Sequence, residues 1–405
     1  MTRPTGMMPV PVPVPESDPS PRRPKPRLKP KSVRQFVDEL FGPSIHARRV
    51  DSLADAVSGV LHAASLAIHA IGRGLAAAKG RHPKHTTKQI DRLLSNDGIA
   101  LWRLFELWVR FVVGERKEIV VALDWTEFDP DKQATICLYL VTRHGRATPL
   151  VWKTVEKASL EGNRNGYETE VIDRLGAAVP GDVKVTVLAD RGFGDQKRYE
   201  HLAFIGWDYV IRFRECILVT DVGGITRPAT DWLAKTGRAK MLKKARVTDD
   251  KTEVPAVVLV HDKRMKDAWC LATSRDDLGA AEVAKLYGRR FTIEETFRDN
   301  KDIHFGMGLS ATHIRSTERR DRLLFLGAIA HALLTLLGAA GERCGLDRML
   351  KVNTVKRRTL SLYKQGCFWY DAIPEMPDDR LRALMTAYDE CVREQALLRE
   401  IFGLL

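Results

Sequence analysis

The sequence has 405 residues, a formal net charge of +13 and six scattered cysteines. This length is sufficient for two or three domains with a large core, and the basic charge is compatible with a polyanionic partner. The cysteines include no C-x-x-C pair, which argues against a zinc ribbon or a disulfide framework and predicts a protein of the reducing cytoplasm.

The N-terminal segment is rich in proline and then in lysine and arginine. Such a composition cannot bury a core, so we expect residues 1–32 to form a disordered tail.

The next region has apolar residues at helical spacing. Residues 33–116 therefore predict an all-helical domain. Within it we expect one long alanine-rich helix from Asp51 to about Lys79, followed by a short helix that Thr86 or Thr87 caps.

The pattern then changes to short, β-branched apolar runs that predict strands. Residues 118–128 form the first run, and two further strands flank a hairpin turn at His144 and Gly145. The complete order is β-β-β-α-β-α-β, which is the order of the ribonuclease-H fold. We therefore predict an α/β protein with a ribonuclease-H-like core over residues 117–215 and 281–344.

Two further regions complete the predicted architecture. Residues 216–280 are irregular and strand-leaning, and they predict a β-rich insertion that interrupts the core. Residues 345–405 predict a helical C-terminal region. An apolar stretch from Leu323 is long enough to cross a bilayer, but we interpret it as a buried core helix and expect no membrane association.

Two of the predicted strands end in an aspartate after an apolar run: "VVALD" gives Asp124 and "VTVLAD" gives Asp190. In the ribonuclease-H order these strands are neighbours, so both carboxylates emerge at one edge of the sheet. Adjacent like charges generally imply a cation, and Glu294 on a later helix could complete a set of three. Hard oxygen ligands suit Mg²⁺ or Mn²⁺, the ions of phosphodiester chemistry.

The segment "YGRRFTIEETFRDNK" predicts the helix that carries this glutamate. At about 100° per residue, four polar residues fall within one stripe about 60° wide. The four are Tyr287, Arg290, Glu294 and Lys301. Glu295 points to another side. A solvated helix face with ordinary i,i+4 pairs would have the same pattern, so the two aspartates are needed to interpret it.

These residues have the spacing Tyr-x2-Arg-x3-Glu-x6-Lys, and with "DWT" at 124 and "ADRGF" at 189 they resemble the DDE transposases of the bacterial insertion-sequence-four family. The resemblance extends over about residues 120–340. It implies that Asp124, Asp190 and Glu294 are the catalytic and metal-binding carboxylates, with Mg²⁺ as the cofactor and Mn²⁺ as a substitute.

The same resemblance implies a set of DNA contacts. Tyr287, Arg290 and Lys301 would hold phosphates near the cleaved end, together with Arg212 in "VIRFR". Trp269 in "WCLATS" would stack on a displaced base. Stacking of a base on an aromatic side chain contributes about 1–3 kcal/mol to binding.

The function implied is cut-and-paste transposition. The protein would bind double-stranded DNA as a homodimer at the terminal inverted repeats of its element, nick each end and transfer the exposed 3′-hydroxyl to target DNA. The helical domain, with "HTTKQIDRLLS" as its candidate reading helix, would recognise the ends, and the C-terminal helices would pair the protomers. The expected location is the bacterial cytoplasm, at the nucleoid when bound to DNA.

Two alternatives remain open at this point. A ribonuclease-H-like nuclease would use the same carboxylates but would not need the Tyr-Arg-Lys stripe. A catalytically silent DNA-binding repressor could retain the fold, although intact Asp124, Asp190 and Glu294 argue against it.

Overall fold

The computed structural model describes residues 30–304 and 306–393. The predicted tail therefore lies almost wholly outside the described residues, as does the end of the C-terminal region from residue 394. Helix α1 (Pro30–Phe41) begins three residues before the predicted start of the helical domain.

Four more helices precede the sheet. They are α2 (Ala47–Ala63), α3 (Ile68–Lys79), α4 (Pro83–Leu94) and α5 (Leu101–Val113). The prediction of one long helix from Asp51 to Lys79 is wrong, because the chain turns through the left-handed residue Ala64 (φ 47°) and α3 folds back at 97° to α2. The close packing of α3 against α2 requires a glycine at position 59, because a Cβ at Gly59 would lie 2.6 Å from a carbonyl oxygen of α3.

The cap predicted for the following helix is also wrong. His82 caps α4, with its ring nitrogen accepting from the Lys84 N–H. Thr86 lies inside the helix, where its hydroxyl donates to the Gly72 carbonyl oxygen at 2.7 Å and so ties α4 to α3.

Ten strands form one mixed sheet within the described residues. They are β1 (Glu118–Phe128), β2 (Gln133–Leu140), β3 (Thr148–Glu156), β4 (Lys184–Ala189), β5 (Asp208–Phe213), β6 (Leu218–Thr220), β7 (Thr226–Pro228), β8 (Lys240–Val247), β9 (Thr252–Val260) and β10 (Trp269–Thr273). Their order is β3-β2-β1-β4-β5-β10-β9-β8-β6-β7. The mixed α/β prediction is confirmed.

The two halves of the sheet differ in their pairing. In the first half, β1, β4 and β5 run parallel and β2 and β3 are antiparallel, including the hairpin predicted around His144 and Gly145. The strands of the predicted insertion form the second half. They are antiparallel, and β10 pairs directly with β5, so the insertion extends the central sheet.

Of the remaining helices in the described residues, five pack on this sheet and the last two pack on the longest of those five. They are α6 (Arg164–Ala178), α7 (Gln196–Phe204), α8 (Ala280–Gly288), α9 (Thr292–Lys301), α10 (Thr317–Arg343), α11 (Leu362–Ala372) and α12 (Asp378–Arg393). By length and composition α10 could cross a membrane, but 94% of its most apolar stretch is buried in the protein, as expected for a core helix. Helix α11 lies against its backbone, where a Cβ at Gly338 would meet the Leu362 carbonyl oxygen at 1.9 Å.

Candidate active site

The two predicted aspartates lie at the same edge of the sheet. Leu123 and Ala189 form the last parallel pair between β1 and β4, and Asp124 and Asp190 are the residues that follow. Beyond this point β4 has ended, while β1 continues to Phe128 in pairing with β2 alone. The adjacent strand ends therefore bring both carboxylates to one place.

The predicted helix over residues 287–301 is divided in two. Helix α8 ends at Gly288, a 3₁₀ turn covers Arg289–Phe291, and α9 begins at Thr292. Glu294 thus lies in the first turn of α9, where a negative charge is stabilised by the helix dipole.

Arg290 connects the carboxylate site at the ends of β1 and β4 to helix α9. Its guanidinium donates to Asp124 Oδ2 at 2.9 Å and to Glu294 Oε1 at 3.0 Å. The Arg290 side chain is only 8% exposed, compared with 17% for Asp124 and 49% for Glu294.

The charges in this cluster influence one another. Burial raises the pKa of Asp124 to about 6, an effect that Arg290 opposes and that the nearby charges of Asp190 and Glu294 reinforce. Burial disfavours the charge on Arg290, but Tyr287 and the three carboxylates together raise the pKa of its guanidinium. Three carboxylates and one arginine therefore form a single electrostatic unit.

The donor chemistry of this unit fits a hard divalent cation, since it consists of carboxylate oxygens alone. One oxygen of each aspartate is also bonded to the backbone: Asp124 Oδ1 accepts from the Trp125 N–H at 2.9 Å, and Asp190 Oδ1 accepts from the Gly192 N–H at 2.8 Å. Among the described residues, no three His, Cys, Asp or Glu side chains already form a ligand group for a metal ion.

An aromatic cluster flanks Arg290. Tyr287 is almost fully buried, and its ring lies edge-to-face against Trp269 at 4.9 Å between centroids. The ring centroid of Phe291 lies 6.1 Å from that of Trp269, and Phe291 is 43% exposed. Sequence analysis did not identify Phe291; its position directly after Arg290 was the available signal.

Arg212 supports the segment that carries this tryptophan. It lies on β5, and its guanidinium donates to the Ala268 carbonyl oxygen at 2.8 Å and lies 3.6 Å from Glu215. Its Nε is buried and has no acceptor among the described residues.

Lys301 lies at the opposite end of α9 from Arg290. Its Nζ donates to the Glu127 carbonyl oxygen at 2.6 Å and to Thr126 Oγ1 at 3.2 Å, over the ring of Phe128. Burial lowers the pKa of this lysine, and the negative charges of Asp129 and Glu127 oppose that shift. The predicted stripe thus contacts two strands, because Arg290 and Lys301 bond to β1 while Tyr287 packs against β10. Of its four members only Glu294 is exposed.

A second network, not identified from the sequence, supports the strand that carries Asp124. Buried Glu168 on α6 accepts from Trp125 Nε1 at 2.8 Å and from Arg198 at 2.8 Å. Arg164 lies over the Trp125 ring, with its guanidinium carbon 5.2 Å from the centroid. The tryptophan of "DWT" is therefore an anchor for its neighbour Asp124.

Glu295 lies outside this cluster. It pairs with Arg298 at 3.1 Å and with Arg146 at 3.8 Å, on another side of α9 from Arg290. The two adjacent glutamates consequently have different partners.

Comparison with known protein families relates part of the chain to a described family. Residues 150–333 match the family described as transposase DDE domain. The matched segment contains Asp190, Glu294 and the Tyr-Arg-Glu-Lys stripe, while Asp124 lies before it. No curated protein sequence matched the chain significantly. The family match supports a DDE transposase, an enzyme that acts on DNA.

Proposed function

We propose that this protein is a transposase of the insertion-sequence-four kind, which cleaves DNA at the ends of its mobile element and joins the exposed 3′-hydroxyl to target DNA. The observation that carries the proposal is that Arg290 bonds to both Asp124 and Glu294 while Asp190 follows the end of the neighbouring strand, in a chain whose residues 150–333 match the transposase DDE domain. Two of these carboxylates come from neighbouring parallel strands and one from a helix, which suits phosphodiester cleavage.

The fold proposed for the catalytic core is ribonuclease-H-like, over residues 117–215 and 281–344. Its support is the order β3-β2-β1-β4-β5 with β2 antiparallel to β1. Residues 216–280 would be an insertion into this core.

We propose Mg²⁺ as the cofactor, with Mn²⁺ as a substitute, and Asp124, Asp190 and Glu294 as the residues that would hold it. When bound, such an ion supplies Lewis-acid activation of the attacking oxygen and charge stabilisation of the leaving oxygen. The chain's own contribution is orientation. The Trp125 and Gly192 N–H groups fix one oxygen of each aspartate, and Glu168 fixes Trp125.

The proposed DNA contacts are Arg290, Arg212, Lys301, Tyr287 and Trp269. Both arginines have a buried Nε with no acceptor among the described residues, so each has one donor that the protein itself does not use. Lys301 uses two of its three N–H groups within the protein, which leaves one. Tyr287 is buried beside Arg290 and would support that arginine. Trp269 and half-exposed Phe291 together offer an aromatic surface to an extruded base.

End recognition is assigned to the helical domain over residues 33–116. Helix α4 supports this assignment because one face presents cations and a histidine to solvent. The exposed residues are Lys84, His85, Lys88 and Arg92.

We further propose a homodimer on DNA, in which residues 345–405 pair the protomers. Exposed Met349 and Phe368 provide apolar surface for that contact. The proposed location is the bacterial cytoplasm and nucleoid.

The testing experiment is cleavage of a labelled duplex that carries the element's own end, in Mg²⁺ or in EDTA. Wild type should nick at the element boundary only with metal, and Glu294→Gln should bind the end without nicking it. Glu295→Gln is the matched control and should cut nearly normally, because Glu295 pairs with Arg298 and Arg146.

The alternatives give different results in the same assay. Binding without nicking by the wild type would indicate a silent repressor, and nicking with no preference for the end would indicate a general nuclease. A dead Glu295→Gln with an active Glu294→Gln would show that the other glutamate is catalytic.

A further inference from the structure

Arg290 binds one oxygen of each of two carboxylates, Asp124 and Glu294, that would hold a cation in this site. Its guanidinium lies 2.9 Å from Asp124 Oδ2 and 3.0 Å from Glu294 Oε1. The second oxygen of Asp124 already accepts from the Trp125 N–H. Asp124 therefore has both oxygens engaged inside the protein.

The position between the two carboxylates is filled in this state. Among the described residues no ligand group of three His, Cys, Asp or Glu side chains is already assembled. A divalent cation and the guanidinium cannot both occupy the space between Asp124 and Glu294, since the two positive charges would repel at contact distance.

Arg290 does not use all of its hydrogen-bond donors within the described part of the protein. Its Nε is buried and has no acceptor in the part of the chain that the structure describes. The guanidinium carbon lies 5.9 Å from the ring centroid of Tyr287 and 5.1 Å from that of Phe291. Phe291 is 43% exposed, whereas the Arg290 side chain that it covers is only 8% exposed. A phosphate there could accept two parallel N–H bonds from it.

We propose that Arg290 is an internal counter-ion that keeps a divalent cation out of the carboxylate site until a DNA phosphate takes up its guanidinium. The proposal rests on the proposed function, because it takes the three carboxylates to be a metal site. It gives Arg290 two successive partners, carboxylate in the free protein and phosphate in the complex. Cation binding and DNA binding then favour each other, and by linkage they do so to the same extent.

The test measures Mn²⁺ binding to the DNA-free full chain, from the loss of the electron paramagnetic resonance signal of aqueous Mn²⁺. Wild type is compared with Arg290→Gln, which removes the guanidinium, and with Arg289→Gln, which removes the same charge from the adjacent residue. We expect Arg290→Gln to bind Mn²⁺ at least tenfold more tightly than wild type, and Arg289→Gln to change the affinity less than threefold. Adding Asp124→Asn to Arg290→Gln should abolish the gain.

A second variant separates occupancy from net charge. Arg290→Lys keeps the positive charge but cannot bridge two carboxylates in the same way, so it should still bind Mn²⁺ about threefold more tightly than wild type. It also serves as the test if circular dichroism shows that Arg290→Gln does not fold. Equal Mn²⁺ affinities of wild type, Arg290→Gln and Arg290→Lys would overturn the proposal.

Failure of this proposal is distinguishable from failure of the proposed function. If Arg290→Gln binds Mn²⁺ no more tightly than Arg289→Gln while wild type still nicks the element end in Mg²⁺, only the counter-ion role is lost. If neither protein binds Mn²⁺ and wild type does not nick DNA, both proposals are overturned.

Discussion

Lys364 of helix α11 lies 3.1 Å from the carboxylate of Asp299 on α9, so an ion pair joins a C-terminal helix to the helix that carries Glu294. The Asp299 side chain is only 4% exposed and also accepts from Arg146, which lies in the turn between β2 and β3. Two cations from distant parts of the sequence thus fix the position of α9 relative to the sheet.

Asp299→Asn should destabilise the protein and slow cleavage together. Removing one partner of a buried ion pair leaves the other charges uncompensated, which costs about 3 kcal/mol. Cleavage of the element end should fall because α9 no longer holds Glu294 in register. Urea unfolding measures the first effect and the nicking rate the second. Asp276→Asn, on an exposed aspartate, is the control; an equally small effect of both substitutions would show that the pair does not fix α9.

Arg290→Ala should weaken DNA binding with a shallower dependence on salt. One phosphate contact contributes about one unit to the slope of log K against log salt. Binding is measured in EDTA, so that metal does not contribute, over a series of salt concentrations. Arg289→Ala is the matched control, because Arg289 precedes Arg290 in the same 3₁₀ turn. An unchanged slope for Arg290→Ala would mean that this arginine serves only the carboxylates.

The sequence was sufficient to predict the features that local pattern and strand order determine. Apolar runs located β1 and β4, and their adjacency followed from the fold order, so Asp124 and Asp190 were expected to meet. Long-range pairing left no such pattern. The pairing of β10 with β5, separated by more than 50 residues, could not be read from either strand alone. Alanine gives no stop signal, so the turn at Ala64 was also missed.

In the candidate active site, too, local sequence pattern predicted some features, while long-range packing determined others. Helical periodicity correctly placed Arg290 beside Glu294, because residues four apart share a face. It could not predict that Tyr287 would be buried by Trp269 from β10, or that Lys301 would contact Thr126 at the end of β1. Those partners come from elements distant in sequence, and they determine which donors remain unused within the protein.

Trp269→Ala should reduce cleavage of a fully paired element end by about tenfold, because stacking on an extruded base contributes about 1–3 kcal/mol. An end with a mismatch at the extruded position should be cut at nearly the wild-type rate, since less unpairing is required. Trp207→Ala, on a partly buried tryptophan that precedes β5, is the control. Equal losses on paired and mismatched ends would assign Trp269 to packing against Tyr287.

Asp321→Asn should stabilise the protein more at pH 8 than at pH 5. Asp321 lies near the start of α10, and its Oδ1 accepts from the Thr154 N–H at 3.0 Å and from the Thr154 hydroxyl at 2.6 Å. Burial raises the pKa of this carboxyl to about 8, although both hydrogen bonds from Thr154 oppose the shift. The folded protein therefore retains a proton that the unfolded chain has lost, and stability falls as the pH rises from about 4 to about 8.

Asparagine resembles the protonated aspartate in shape and cannot ionise, so the variant escapes this loss. Asp321 keeps some contact with solvent, which moderates the effect. We expect the gain in free energy of unfolding to increase by about 2 kcal/mol between pH 5 and pH 8, below the limit of about 1.4 kcal/mol per pH unit. Urea unfolding of both proteins at the two pH values measures it, with Asp276→Asn as the exposed control. A gain that is the same at both pH values would show that Asp321 is already ionised in the folded protein.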